Sequence, residues 1–191
     1  GGGKGVFVSY RNQGETAKIH RGTRLVRHLP YSDDVVSIMN QHYGEFWENR
    51  FVKNPEYQAQ EDELVLSLPE SIQWDAPILQ LDPYPGMKYP EIGEEVRAVL
   101  HHSYHAGTIC SESPDLGAFL TKARERHIPV FLTGAENGIT YESMKILRNP
   151  AIHRLPKASP LAMYMKLWLL LSNGLDPRMN MGKCLGEDLV L

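Results

Sequence analysis

Histidines and one cysteine carry most of the chemistry the sequence offers. His101, His102 and His105 stand together on the segment Ala98-Val-Leu-His-His-Ser-Tyr-His-Ala-Gly-Thr108, with Cys110 just beyond and His127 further on. The His-X-X-His spacing at 102 and 105 suits two ligands of a zinc ion, but such an ion needs three or four converging donors. No carboxylate or cysteine has the spacing to supply the rest. Hydrogen-bonded or solvent-facing histidines are therefore expected, with no metal and no cofactor. As a nucleophile Cys110 would need a base held in place. His105 is near in sequence but nothing orients it, so a small, partly buried thiol is expected instead. No Gly-X-Ser-X-Gly elbow, phosphate-binding loop or dinucleotide fingerprint occurs, and Gly134-Ala-Glu-Asn-Gly138 reads as a plain turn.

The segments that position these residues have α/β grammar. Pro77–Leu81, Val96–His101 and His127–Leu132 are short apolar runs that read as buried strands. Asp82-Pro-Tyr-Pro-Gly86 is a strong turn signal, because proline and glycine hold dihedrals most residues avoid. Ser113-Pro-Asp115 predicts a helix with a capping serine, and Leu116, Phe119, Leu120 and Ala123 then fall on one face. A short helix is expected over Tyr141–Leu147, stopped by Asn149-Pro150. A longer one is expected over Leu161–Ser172, opened by Ser159-Pro160 and closed by Asn173-Gly174, with a last turn or helix over Asp176–Met181. Residues 76–191 are thus expected to form a small parallel sheet with helices on both faces. Its strand-end loops would share one edge, where ligands collect.

The earlier residues read differently. Gly5–Tyr10 and Glu15–Val26 form a predicted hairpin around Asn12-Gln-Gly14, ended by Pro30. Lys18, His20, Arg21, Arg24, Arg27 and His28 make a basic cluster, expected to be a solvated hairpin edge. Ser32-Asp-Asp34 predicts a helix N-terminus leading into Val35–Met39. Asn40–Gln73 has no sustained period and reads as an ordered linker that buries its aromatic residues. The expected division is 1–48, 49–75 and 76–191, with the last boundary near Trp74-Asp75.

Bulk properties narrow the class. The 191 residues carry a net charge of −3, which leaves no footprint for nucleic acid. Two isolated cysteines suggest a reducing, cytoplasmic setting. The longest apolar run, Leu167–Leu171, is too short for a bilayer, and no secretory signal is seen. The chain opens Gly-Gly-Gly-Lys-Gly directly ahead of a strand, so it is expected to be part of a longer protein.

Several segments, in order, resemble the L-asparaginase family, above all its cytoplasmic type I branch. Gly5-Val-Phe-Val with Ile19-His-Arg-Gly-Thr-Arg24 is similar to the hairpin closing the family's N-terminal α/β domain. Ser37-Ile-Met-Asn-Gln-His-Tyr-Gly-Glu45 resembles the segment leading to the linker, and Leu79-Gln-Leu-Asp-Pro-Tyr-Pro-Gly86 the turn that opens the C-terminal domain. Val99-Leu-His-His-Ser-Tyr-His-Ala-Gly-Thr108 resembles the strand and Tyr-Gly-X-Gly-Asn loop. Ile128-Pro-Val-Phe131 and Ala162-Met-Tyr-Met-Lys-Leu167 resemble the next strand and the Ala-X-X-Lys-Leu helix.

The resemblance implies an amidohydrolase that converts asparagine to aspartate and ammonia through a threonine nucleophile, working as a dimer or tetramer on a small amino-acid amide. It implies no catalytic residue within this chain, because the Thr-Gly-Gly-Thr-Ile segment, the Thr-Asp pair and the lysine belong to an N-terminal domain. Substrate- or effector-binding groups would be His102, Ser103, Thr108 and Thr133. This sequence departs from the family at Thr108, which replaces asparagine, at His102, which replaces arginine, and at Leu161, which replaces glutamate. A non-catalytic ligand-sensing or assembly module on the same fold is the alternative.

Overall fold

A computed structural model describes residues 4–28, 30–68, 77–135 and 146–190. The expected boundary at Trp74-Asp75, and most of the expected turn at 134–138 and helix at 141–147, lie outside them. Among the described residues the chain is mixed α/β, and it divides into two compact units. One comprises residues 1–65, 158–165 and 183–191, the other residues 66–157 and 166–182.

The first unit is built on an antiparallel meander of β1 (Phe7–Arg11), β2 (Ala17–Arg21), β3 (Gly44–Trp47) and β4 (Arg50–Lys53). The first turn is the expected one: Glu15 N donates to Asn12 O at 3.1 Å, and Gly14 takes φ +78°. The return strand stops at Arg21 and passes into a 3-10 turn, Gly22–Arg24, earlier than expected. The predicted helix after Ser32 does not form. Ser32 Oγ accepts from Asp34 N, while a bridge between Leu25 and Ser37 and the bond from Val26 N to Val36 O hold the chain extended.

Two further expectations are corrected here. The stretch after Asn40 contains β3 and β4, joined by Glu48 and Asn49, both at positive φ as a tight hairpin turn requires. Its aromatics are not all buried, for Trp47 is 58% exposed and Phe46 and Phe51 nearly half exposed. The basic cluster is a solvated edge only in part, at Lys18, Arg27 and His28. Arg24 is fully buried, with His20 and Arg21 nearly so. Arg24 donates to the carbonyls of Gln58, Glu187 and Leu189 and to Gln41 Oε1, and lies 4.4 Å over the Tyr57 ring. Arg21 and Thr23 hold the carbonyl of Gly186 in the same way. These basic side chains clamp the C-terminal residues to the meander.

The second unit is built on a parallel sheet of β5 (Ile78–Leu81), β6 (Ala98–His102), β7 (Val130–Thr133) and β8 (Ile152–Arg154), in that spatial order. Strand order follows chain order, so neighbouring strands are reached from one another by crossover connections. One of these is α1 (Leu116–Glu125), whose buried stripe Leu116, Phe119, Leu120 and Ala123 packs in one core with Val99, Val130 and Leu132. The opposite face, with Leu100 and Phe131, is buried as well. The turn after β5 forms as read, with Gly86 at φ +76° and Met87 N bonded to Tyr84 O. Ser113 does not cap α1. The N-cap is Asp115 without a side-chain bond, and Ser113 Oγ is buried with no partner among the described residues.

Helix α2 (Pro160–Ser172) begins at Ser159, whose Oγ accepts from Ala162 N, and ends as predicted. Gly174 at φ +65° and the bond from Leu175 N to Leu170 O close it as glycine allows. A short α3 (Pro177–Asn180) follows, capped by Asp176. Two-residue strands β9 (Lys157–Ala158) and β10 (Leu189–Val190) form a ribbon. Among the described residues no helix is long and apolar enough to cross a membrane.

Candidate functional site

The carboxyl edge of the parallel sheet gathers polar side chains from three strands. Register sets His102 of β6 opposite Thr133 of β7, and Gln80 of β5 opposite Leu100. Because side chains alternate along a strand, Gln80, His102 and Thr133 then share one face. His102 Nδ1 lies 2.8 Å from Thr133 Oγ1, and His102 Nε2 lies 3.0 Å from Gln80 Nε2. An amide nitrogen only donates, so Nε2 accepts from Gln80 and the protonated Nδ1 donates to Thr133. The Asp82 carboxylate, one residue past β5, stands 3.8 Å from Nε2 on the solvent side.

Ser103 continues the edge. Its backbone N donates to Thr133 O at 3.1 Å, and its hydroxyl rests against Gly134 at φ +82°. A Cβ at Gly134 would come within 2.4 Å of Ser103 Oγ, so a side chain there would displace the hydroxyl. The loop beyond is closed by Tyr104 N to Thr108 O at 2.8 Å and Gly107 N to Tyr104 O at 2.8 Å, with Gly107 at φ +75°. Thr108 therefore sits on the returning limb through its backbone, and no side-chain bond joins it to the cluster among the described residues. His102, Ser103 and Thr133 meet directly. Gln80 and Asp82 complete the group and were not singled out by sequence. The available signal was a glutamine inside an otherwise apolar four-residue strand.

The neighbouring histidines behave differently. His101 is buried: Tyr89 Oη donates to its Nε2 at 2.9 Å, and its Nδ1 donates to His102 O at 2.6 Å. Burial lowers its pKa, outweighing the bond that favours the proton. His105 is exposed on the loop. Among the described residues no three histidine, cysteine or acidic side chains converge as a metal site would need. Cys110 has Tyr104 as its polar neighbour, and desolvation with that contact raises the pKa of the phenol.

Together, the fold and this edge define a mixed α/β protein with a polar cluster beyond the carboxyl ends of parallel strands. No family model matches the chain, and no curated protein matches it.

Proposed function

We propose that this chain is the C-terminal part of an L-asparaginase-like amidohydrolase, and that its parallel-sheet unit has the C-terminal fold of that family. The sheet edge would bind a small amino-acid amide or its product, and the rest of the chain would supply contacts for a homo-oligomer in the cytoplasm. The observation that carries this is the His102–Thr133 hydrogen bond at the ends of β6 and β7, with Gln80 and Asp82 beside it. An amino-acid amide offers an ammonium for Asp82, a carboxylate for the hydroxyls of Ser103 and Thr133, and a side-chain amide for Gln80. A hydroxyl nucleophile needs an activating neighbour, and none of the family's activating residues is in this sequence. In this reading the threonine that attacks the amide carbon, releasing ammonia, is supplied by an N-terminal domain, and water then frees aspartate.

The departures at His102, Thr108 and Leu161 favour a second reading, a non-catalytic sensor or assembly module. A neutral imidazole cannot reproduce the bidentate grip of a guanidinium on a carboxylate. Calorimetric titration with asparagine, aspartate and glutamine, beside an ammonia assay, separates the two. Binding by this chain, with ammonia released only when a domain bearing a Thr-Gly-Gly-Thr-Ile segment is joined to it, supports the enzyme. Binding without ammonia from either polypeptide supports the sensor. Ammonia from these residues alone, or no binding at all, overturns the assignment.

A further inference from the structure

We infer that the open edge of β4 docks an acidic polypeptide segment, which adds to the meander as a further antiparallel strand. Among the described residues no strand pairs with this edge. The alternation of the β3–β4 hairpin says which groups it offers. Asn54 N donates to Tyr43 O at 3.1 Å, so Val52, two residues back and opposite Glu45, is the next residue of β4 bonded to β3. Phe51 and Lys53 alternate with these, and their N–H and C=O groups point away from β3. Two donors and two acceptors thus face outward at the spacing an added strand uses.

The side chains say what that strand must carry. All four residues of β4 are exposed, and Phe51 and Val52 remain 45% and 46% open. Phe51 packs edge-on to Phe46 with ring centroids 5.8 Å apart, and Trp47, opposite Arg50, is more exposed still. An edge kept free by charge alone has no use for that apolar surface. The charges on the strand itself are of one sign. Arg50 has no acidic partner among the described residues, and Lys53 lies 5.7 Å from the centroid of the Tyr43 ring instead of against a carboxylate. Of the nearby acids, Glu45 accepts from Thr16, and Glu48 sits at the exposed turn. A second copy is a poor occupant, because two antiparallel β4 strands would crowd two Arg50 and two Lys53 side chains into one short ladder. Cross-strand pairing fixes the order in the partner: the residues opposite Lys53, Val52, Phe51 and Arg50 are acidic, apolar, apolar and acidic in turn. This edge shares no residue with the His102 cluster, and the inference stands whether or not the amidohydrolase reading does.

The test is titration of the whole chain with the end-capped, fluorophore-labelled peptide Ser-Asp-Val-Phe-Glu-Ser, read by anisotropy, with exchange of the Phe51 and Lys53 amides followed by NMR. Saturable binding is expected, with exchange of both amides slowed about fivefold or more. The same peptide N-methylated at its phenylalanine keeps every side chain but loses the donor to Phe51 O, and should bind about tenfold more weakly. A peptide with lysine in place of its aspartate and glutamate should not bind the unmodified chain. Arg50→Glu combined with Lys53→Glu changes two exposed side chains and should reverse the preference, so that the lysine peptide becomes the tighter ligand. Absence of saturable binding, unslowed exchange at Phe51 and Lys53, or equal affinity for the N-methylated or the lysine peptide would overturn the proposal. Protection of those amides that rises with protein concentration in the absence of peptide would assign the edge to a second copy, and would overturn it too.

Discussion

Replacing Arg24 with methionine tests the central claim about the first unit, that a basic residue is its internal clamp. The substitution keeps an unbranched apolar stem and removes the donors. The carbonyls of Gln58, Glu187 and Leu189 then lose this donor, while Gln41 Oε1 keeps its bond from Gln58 N. Leu189 is buried, so water does not readily replace the guanidinium at its carbonyl, and an acceptor orphaned there costs about 1–3 kcal/mol. Gln58 and Glu187 are half-buried and rehydrate at less cost. Loss of the contact over Tyr57 adds about 1 kcal/mol. Relief from burying a charge offsets part of this, so the expected net loss is about 2–4 kcal/mol. Arg24→Lys keeps the charge but replaces three nitrogens by one, and should lose roughly 2 kcal/mol. Because the chain has two units, a single unfolding midpoint does not isolate the effect. Native-state exchange of the Gly22 and Tyr43 amides, both hydrogen-bonded within the first unit, reads it locally. A loss under about 1 kcal/mol for the methionine variant would refute the reasoning, since it would mean those acceptors find water at no cost.

Three further outcomes follow from the same structure. His20 is buried on Ser37 and its pKa is pushed down to about 4 by burial first and then by His42 and Lys18. Its contribution is therefore complete above the unfolded value near 6.5 and is lost as pH falls from there to about 4. That amounts to roughly 3 kcal/mol, and denaturation midpoints measured in steps from pH 7 to 4.5 should fall less in His20→Gln. Gly44→Ala puts a methyl 2.5 Å from Val52 O and from the Phe51 ring, so it should cost about 1–3 kcal/mol in chemical denaturation and loosen the β3–β4 pair. His101→Ala orphans Tyr89 Oη and His102 O in the core and should cost about 2–3 kcal/mol. His102→Ala should leave the melting temperature within a few degrees and abolish calorimetric binding of amides at the sheet edge.

Much of the second unit could be read in advance, because its elements announce themselves locally. Val99-Leu100 and Val130–Leu132 are apolar without interruption, as strands buried on both faces must be, and α1 shows its stripe at helical spacing. The turns at Asn12–Gly14 and Pro85-Gly86 and the glycine closing α2 are fixed by dihedrals few other residues accept. What escaped had non-local causes. β8 is three residues long, Ile-His-Arg, and is a strand only because β7 pairs with it. β3 and β4 carry aromatics and charges on exposed positions, which erases the alternation that would mark a half-buried hairpin. Arg24 looked like surface charge because three of its four acceptors are backbone carbonyls, which carry no sequence signal, and two of those lie more than 160 residues away.

The candidate site shows how far a single register decides function. His101 and His102 are adjacent and chemically identical, so sequence alone gives them the same prospects. Strand alternation separates them. With Leu100 opposite Phe131 and His102 opposite Thr133, the odd-numbered histidine must point into the core with Val99, where only the Tyr89 hydroxyl and a carbonyl are available to it. The even-numbered one lands on the other face, beside Gln80 and Thr133 and within reach of Asp82. A slip of one residue would exchange these fates and put Ser103 where His102 stands. The register is held against that slip by the apolar residues before it: Val99, Leu100, Val130 and Phe131 each have a buried place on their own face, and shifting them would strand the polar ends inside. The packing that stabilises the sheet is thus also what aims His102 at Gln80 and Thr133.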